Sequence, residues 1–271
     1  MVKTLKEAYR YCTKNLGESD GRILFEYACK KSVSYMLTHP LESVDASFLE
    51  SAVARAVSGE PVQYITGKTE FMSLPFYVSP AVLIPRQDTE TLVEFALSFL
   101  KDKKNAKGVD ICTGSGCIAV SVEKYANASV TAIDISPDAL EIAKKNAERN
   151  GTKTTFICAD ARTFCTLSDL DFVLSNPPYI ESAVVDGLDE RVKNYEPRLA
   201  LDGGADGLAF YESIAKNAKK MLRDGGVLAV EIGWNQGKSV SEILNKQFGN
   251  SCVLQDLCGK DRVVYSVKKK A

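Results

Sequence analysis

Histidine and tryptophan are nearly absent: the chain has one of each, His39 and Trp234, in 271 residues. Its eight cysteines, at 12, 29, 112, 117, 158, 165, 252 and 258, include no Cys-x-x-Cys pair, and His39 is remote in sequence from most of them. A structural zinc needs a close-spaced set of such donors, so no metal is expected. In a reducing compartment the thiols read instead as small core residues. Long apolar runs are missing too, and the start Met1-Val2-Lys3-Thr4-Leu5-Lys6-Glu7 lacks the apolar centre of a signal peptide. Neither a membrane span nor export is expected, which points to the cytoplasm. Nor is there an excess of charge of one sign. With 34 basic against 35 acidic residues the net charge is −1, and no global field draws a nucleic-acid backbone. The first 85 residues hold nine Lys/Arg and nine Asp/Glu, which makes a basic groove hard to place there. What the chain does have is 45% hydrophobic residues, enough for a real core in one large or two small domains.

Helical spacing puts Leu5, Ala8, Tyr9, Cys12 and Leu16 on one face. It does the same for Ile23, Leu24, Tyr27 and Ala28 after Asp20, and for Phe48, Leu49, Ala52, Val53 and Ala56 after Asp45. Residues 1–61 are therefore expected to form a small all-helical domain without strands. It is too small and polar to hold a cofactor alone and reads as a substrate-recognition module, with a merely stabilising appendage as the alternative. Residues 62–85 carry the β-prone runs 63–65, 70–72, 76–78 and 82–84 between Gly67, Pro75 and Pro80, which predict a β-hairpin linker. From 86 to 271, a helix capped by Asp88 leads into alternating strands and helices. The strands are expected at 109–111, 130–134, 154–158, 170–175, 227–232, 252–257 and 262–267. This order predicts an α/β fold with a doubly wound, mostly parallel sheet of seven strands, the last antiparallel.

Asn176-Pro177-Pro178-Tyr179 ends the apolar strand Leu170–Ser175. Pro177 fixes its own φ and pushes Asn176 towards the extended region, so the corner is stiff. Neither proline has an N–H, which leaves the Asn176 side-chain carbonyl and an adjacent main-chain carbonyl free to accept both hydrogens of one –NH2 group. Two such acceptors would localise the nitrogen lone pair towards an electrophile, and Tyr179 would stack on the planar group. The plain alternative is a turn that ends a strand.

In doubly wound sheets ligands sit beyond the carboxyl ends of the strands, and Asp110, Gly114, Gly116, Asp134, Asp160 and Asn176 all fall there. The glycines let backbone approach a ligand. Asp134 is placed for ribose hydroxyls and Asp160 for an adenine amino group, though each acid alone could be a cap or loop charge. Gly114-x-Gly116-x-x-Ala119 is compatible with a dinucleotide. Asp110 argues otherwise, because it would repel a pyrophosphate and suits the ammonium and sulfonium of S-adenosylmethionine.

Asp110-Ile111-Cys112-Thr113-Gly114-Ser115-Gly116-Cys117-Ile118-Ala119 with Asn176-Pro177-Pro178-Tyr179-Ile180 resembles the class I amino-methyltransferases. Thr69-Glu70-Phe71, Leu83 to Glu90 and Tyr195 to Gly204 narrow the resemblance, over nearly the whole chain, to the peptide chain release factor glutamine methyltransferases. That resemblance implies transfer of a methyl group from S-adenosylmethionine to N5 of the glutamine in the Gly-Gly-Gln motif of class 1 release factors, with the helical module docking the factor. It implies that Asp110, Cys112, Thr113, Gly114, Ser115, Gly116, Asp134, Asp160, Ala161 and Asn176 hold the cofactor. It also implies that Asn176, Pro177, Pro178 and Tyr179 receive the glutamine, with Asn176, Pro177 and Tyr179 catalytic. Three positions depart from the family pattern: Cys112 stands for a common glycine, Ala161 for an aromatic that covers adenine, and Gln87 for a proline. A monomer without direct nucleic-acid or membrane contact is expected. A nucleic-acid adenine N6-methyltransferase presents the same –NH2 to the same corner after base flipping and stays the enzymatic alternative; a cofactor-sensing binding protein is the non-catalytic one.

Overall fold

The structure, a computed structural model, describes residues 2–270. The chain divides into two compact units, one running to Lys68 and taking in Asp189–Tyr195, the other comprising Thr69–Leu188 and the chain from Glu196 onward. In the first unit, strand β1 (Val2–Thr4) leads into helix α1 (Leu5–Cys29), where Thr4 and Glu7 form a reciprocal capping box. Gly17, at φ +81°, interrupts the helical geometry, which is why two helices were legible in the sequence. Helix α2 (Val33–Thr38) follows, closed by His39, whose ring stacks on Tyr35 at 4.2 Å. Strand β2 (Ser43–Asp45) pairs antiparallel with β1. The expectation of helices alone is thus corrected; strands of three residues are too short to carry a period-two signal. Asp45 ends β2 and accepts from the Ser47 N–H instead of opening helix α3 (Ser47–Val57) as its N-cap. A further correction concerns 63–65, which lie in helix α4 (Val62–Thr66). Pro61 and the left-handed Gly67 start and stop that helix, and Val62 and Ile65 join Leu5, Leu24, Phe25 and Leu49 in one core, so packing overrides β propensity.

Strands β3 (Lys68–Phe71) and β4 (Leu74–Tyr77) form a two-stranded hairpin. Its turn residues Met72 and Ser73 both have positive φ, the mirror-image turn that matches strand twist. The run 82–84 forms no strand; Val82 and Ile84 are simply buried between prolines. Asp88 lies in the 3-10 turn Gln87–Thr89 ahead of α5 (Glu90–Leu100) and pairs with Arg262 at 3.0 Å instead of capping.

Strand and helix then alternate as β5 (Ala106–Ile111), α6 (Cys117–Tyr125), β6 (Ala128–Asp134), α7 (Pro137–Asn150), β7 (Thr155–Cys158) and β8 (Leu170–Ser175). The short α8 (Ser182–Val185) and α9 (Glu190–Lys193) precede α10 (Tyr211–Met221), β9 (Leu222–Glu231), α11 (Gly237–Phe248), β10 (Cys252–Gln255) and β11 (Asp261–Val267). The seven strands from β5 on order as β10-β11-β9-β8-β5-β6-β7, with β11 antiparallel to both neighbours and the pairs from β9 to β7 parallel. This is the expected doubly wound sheet. Successive β8 residues face opposite cores: Phe172 and Leu174 pack with α5 and α6, and Val173 with α10 and α11. Ser136 caps α7, Pro137 opens it and Gly151 closes it in the left-handed region, as the sequence indicates.

Two contacts fix what lies around the strand ends. The Asn146 amide, fully buried on α7, accepts from the Tyr77 N–H at 2.6 Å and donates to the Tyr77 and Ser115 carbonyls at 3.0 and 2.8 Å, tying hairpin, helix and glycine loop together. On β5, Gly108 lies opposite Phe172, and a Cβ there would sit 2.2 Å from the ring. Because that ring is fully buried, Gly108→Ala is expected to destabilise the fold by about 1–3 kcal/mol. Thermal unfolding checks this, with Phe172→Leu recovering part of the loss in the double variant.

Candidate active site

The loop after β5 turns back on itself through three left-handed residues, Cys112 (φ +61°), Gly114 (+53°) and Gly116 (+79°). Cys112 adopts the left-handed conformation that glycine favours, at the steric cost of about 1–2 kcal/mol that a side chain bears in this region. Gly116 is required by packing, since a Cβ there would meet Ala143 of α7 at 3.1 Å. Gly114 has open space on its side-chain face. Two acids hold the loop. Asp110, fully buried, accepts from the Thr113 hydroxyl at 2.5 Å and the Ala119 N–H at 3.2 Å. Asp134, at the end of β6, accepts from the N–H groups of Gly114 at 2.8 Å and Ser136 at 2.9 Å. Burial raises both pKa values, that of Asp110 to about 7. Its Oδ1 has no partner, an acceptor left available beneath the loop.

Strand β8 is in register with β5, Ile111 beside Ser175, and the Ser175 hydroxyl donates to the Ile111 carbonyl at 2.6 Å. Asn176 therefore emerges next to the glycine loop. Its Nδ2 donates to the Thr89 hydroxyl at 3.3 Å, which leaves Oδ1 as the free acceptor. The Tyr179 hydroxyl donates to Glu231 Oε1 at 3.3 Å. Glu231, at the end of β9, is fully buried, and desolvation raises its pKa to about 7. The charge of the Arg262 guanidinium and the bond from the Tyr179 hydroxyl oppose that rise.

A cavity of about 240 Å³ opens between these elements. Of the residues expected to hold cofactor or substrate, Cys112, Thr113, Gly114, Ser115, Asp134, Asp160, Ala161, Asn176 and Pro178 line it. Four lie outside the wall. Asp110 and Gly116 brace the loop from behind, Pro177 is buried, and the Tyr179 ring packs with the core under α10 and α11. Tyr179 is thus a support for Glu231 in this structure, where stacking on a bound group was expected. Asp160 accepts from Nε and Nη2 along one edge of the Arg162 guanidinium, which lowers its pKa, so an adenine amino group would compete with an arginine for it.

Sequence reasoning missed several wall residues. Phe210, just before α10, adds aromatic surface to a wall where Ala161 offers little. Arg86 reaches across to the buried Glu196, and Thr89, at the end of the 3-10 turn before α5, meets Asn176. The only sequence trace of the last two pairings was their presence in the segments Leu83–Glu90 and Tyr195–Gly204 on which the resemblance rested.

The chain is similar to known proteins. The chain matches the family models described as "PrmC N-terminal domain" over residues 3–67 and "Methyltransferase small domain" over 87–192. It is 40% identical to the release factor glutamine methyltransferase of Moorella thermoacetica, covering 93% of this chain and 91% of the relative. The protein of the same name from Geobacter sulfurreducens is 43% identical, with 83% and 79% covered. The fold also matches the T. thermophilus 16S rRNA N2 G1207 methyltransferase in complex with AdoMet and guanosine. There the TM-score is 0.55 at 16% identity, over 74% of this chain and 50% of that one. On the strength of this identity across both units, the chain belongs to the release factor glutamine methyltransferase family.

Proposed function

We infer that the protein methylates the side-chain amide nitrogen of a glutamine in peptide chain release factors, using S-adenosylmethionine. The observation that carries this reading is the single cavity in which the Asn176 acceptor and the glycine loop of a methyltransferase fold meet. Among the described residues no helix is long and apolar enough to cross a membrane, in keeping with a substrate that works in translation.

The residues present fit the cofactor. An open face at Gly114, a carboxylate at Asp134 and apolar surface from Ile135 and Phe210 suit a ligand that joins a cationic amino-acid end to a nucleoside. When bound, S-adenosylmethionine supplies an electrophilic methyl group on a sulfonium. Asn176 Oδ1 and the adjacent main-chain carbonyl accept the two hydrogens of the glutamine amide and turn its lone pair towards that methyl. The amide nitrogen would take that methyl, the C–S bonding pair staying with S-adenosylhomocysteine, and would then shed one proton to water. Positioning carries the rate enhancement, and no strong base is needed. Pro177 and Pro178 keep the corner stiff. The finer assignments belong to the same proposal: N5 of the Gly-Gly-Gln glutamine in class 1 factors, docking by the helical unit 1–61, a linker at 62–85, a methyltransferase domain over 86–271, a cytoplasmic monomer, and no direct role for nucleic acid.

Asn176→Ala is expected to lower kcat at least about a hundredfold while cofactor affinity stays within about threefold. Methyl-radiolabel transfer to purified release factor, run beside equilibrium dialysis of cofactor, measures both. Labelling of DNA but not of release factor by the wild type would instead support adenine methylation. Asp134→Ala removes an acceptor from the cofactor wall and frees two backbone donors of the loop. Its cofactor affinity is expected to fall about tenfold or more, and unchanged dialysis curves would count against the assigned pocket.

A further inference from the structure

Trp234 is the chain's one tryptophan, and it is 64% exposed. Exposure alone means little, since single apolar side chains are common on surfaces. The setting of this one is what matters. The loop that carries it, residues 232–236, is fixed at both ends. At its start the Ile232 N–H donates to the Arg262 carbonyl at 2.9 Å, and Arg262 Nη1 donates to the Ile232 carbonyl at 3.3 Å. At its end Gln236 folds back over the turn: its N–H donates to the Gly233 carbonyl and its Oε1 accepts from the Gly233 N–H, both at 2.9 Å. Ile232, Gln236 and Gly237 are buried, and Trp234 and Asn235 project into solvent.

The same glutamine joins this loop to the acceptor corner. Gln236 Nε2 donates to the Tyr179 carbonyl at 3.0 Å and to the Gly207 carbonyl at 3.3 Å. A Cβ on Gly207 would sit 2.4 Å from the Tyr179 oxygen and 2.7 Å from Nε2, so the join requires glycine there. Gly207 lies on a segment that starts in the cavity wall with Pro197, Leu199 and Ala200. That segment pairs with the chain leaving the corner: the Ile180 N–H donates to the Leu201 carbonyl at 3.0 Å, and the Gly203 N–H to the Ile180 carbonyl at 2.8 Å. A bonded path thus runs from the cavity wall to the foot of the Trp234 loop. Sheet order fixes the side on which it ends. The glycine loop and Asp134 stand at the ends of β5 and β6, Asn176 at the end of β8, and the Trp234 loop follows β9, the next strand outward from β8 and away from β6. Trp234 is not part of the cavity wall. It therefore stands beyond the corner, on the side opposite the cofactor residues.

We propose that the 232–236 loop is a docking element for the acceptor protein: Trp234 is the anchor that the release factor covers as its glutamine enters the cavity, and Gln236 holds that anchor in fixed relation to the corner. This deepens the function inferred above and rests on it. An indole on a loop already held in place buries a large area and loses little freedom on binding, and tryptophan is among the side chains that most often dominate an interface. Among the described residues its N–H has no hydrogen-bond partner, so the covering surface is an apolar one that carries an acceptor at its rim. A second copy of the chain or a nucleic-acid base would also cover an indole; the placement beyond the acceptor corner favours the protein that supplies the amide.

Protein labelled with 5-fluorotryptophan carries one fluorine resonance, that of Trp234. The resonance is expected to shift or broaden when release factor is added, and to stay in place when the enzyme alone is concentrated or mixed with a single-stranded oligonucleotide. A resonance indifferent to release factor, or one that moves with enzyme concentration or oligonucleotide instead, overturns the proposal. In methyl transfer, Trp234→Ala is expected to raise KM for release factor about tenfold or more, with kcat at saturating factor and cofactor affinity unchanged. Trp234→Phe, which keeps an aromatic face, is expected to recover most of the loss. A tryptophan that only braced the corner would show its loss in kcat; that result, or an unchanged KM, overturns the docking role, whereas a wild type that never labels release factor removes the functional reading beneath it.

Discussion

Parallel pairing of β5 with β8 is the constraint on which the site depends. The chain leaves β5 towards β6 on one side of the sheet and leaves β8 towards β9 on the other, so nothing fills the space above their adjoining ends. The pairing of Ile111 with Ser175 then sets Cys112 and Asn176 side by side, although 63 residues of chain lie between them. A one-residue slip would turn every side chain of β8 to the wrong core and carry Asn176 away from the loop. The Phe172 ring, packed into the space that a Cβ on Gly108 would take, helps forbid that slip.

Backbone and side chains were legible to different depths. The seven strands, their antiparallel last member and the cap-to-cap limits of α7 followed from periodicity and from Ser136, Pro137 and Gly151, because there local chemistry and tertiary packing agree. Where they disagree the sequence misled. Gln63-Tyr64-Ile65 has strand composition and a helical place, since burying Val62 and Ile65 outweighs their intrinsic preference. Asp88 has the composition of a cap and serves instead as a counter-charge to Arg262, a residue 174 positions later that no local window contains.

The site shows the same division. Residues placed by strand ends were found, since a strand end can be read from a run of apolar residues followed by an acid, a glycine or an asparagine. Residues placed by long-range packing were not. Glu231 looks like one more charge closing the strand Val227–Glu231; only the sheet order, which brings β11 and its Arg262 beside β9, shows that the charge is enclosed. Tyr179 shows the reverse error. Its position after two prolines suggested a ring facing a ligand, yet the turn directs the ring into the core and leaves only its hydroxyl for polar work.

Asp110 and Glu231 set the thermodynamic terms of this arrangement. Each keeps its proton in the folded chain over a range, from an ordinary 3.8 or 4.5 up to about 7, in which the unfolded chain has released it. Each therefore withdraws stability as pH rises through that range, and above it the fold carries two enclosed negative charges. Glu231 has its opposing charge built in through Arg262, itself held by Asp88 and Asp256. Asp110 braces the loop after β5 through Thr113 and Ala119, and Glu231 accepts from the Tyr179 hydroxyl below the corner after β8, so both charges are enclosed where the sheet order brings the ends of β5, β8 and β9 together.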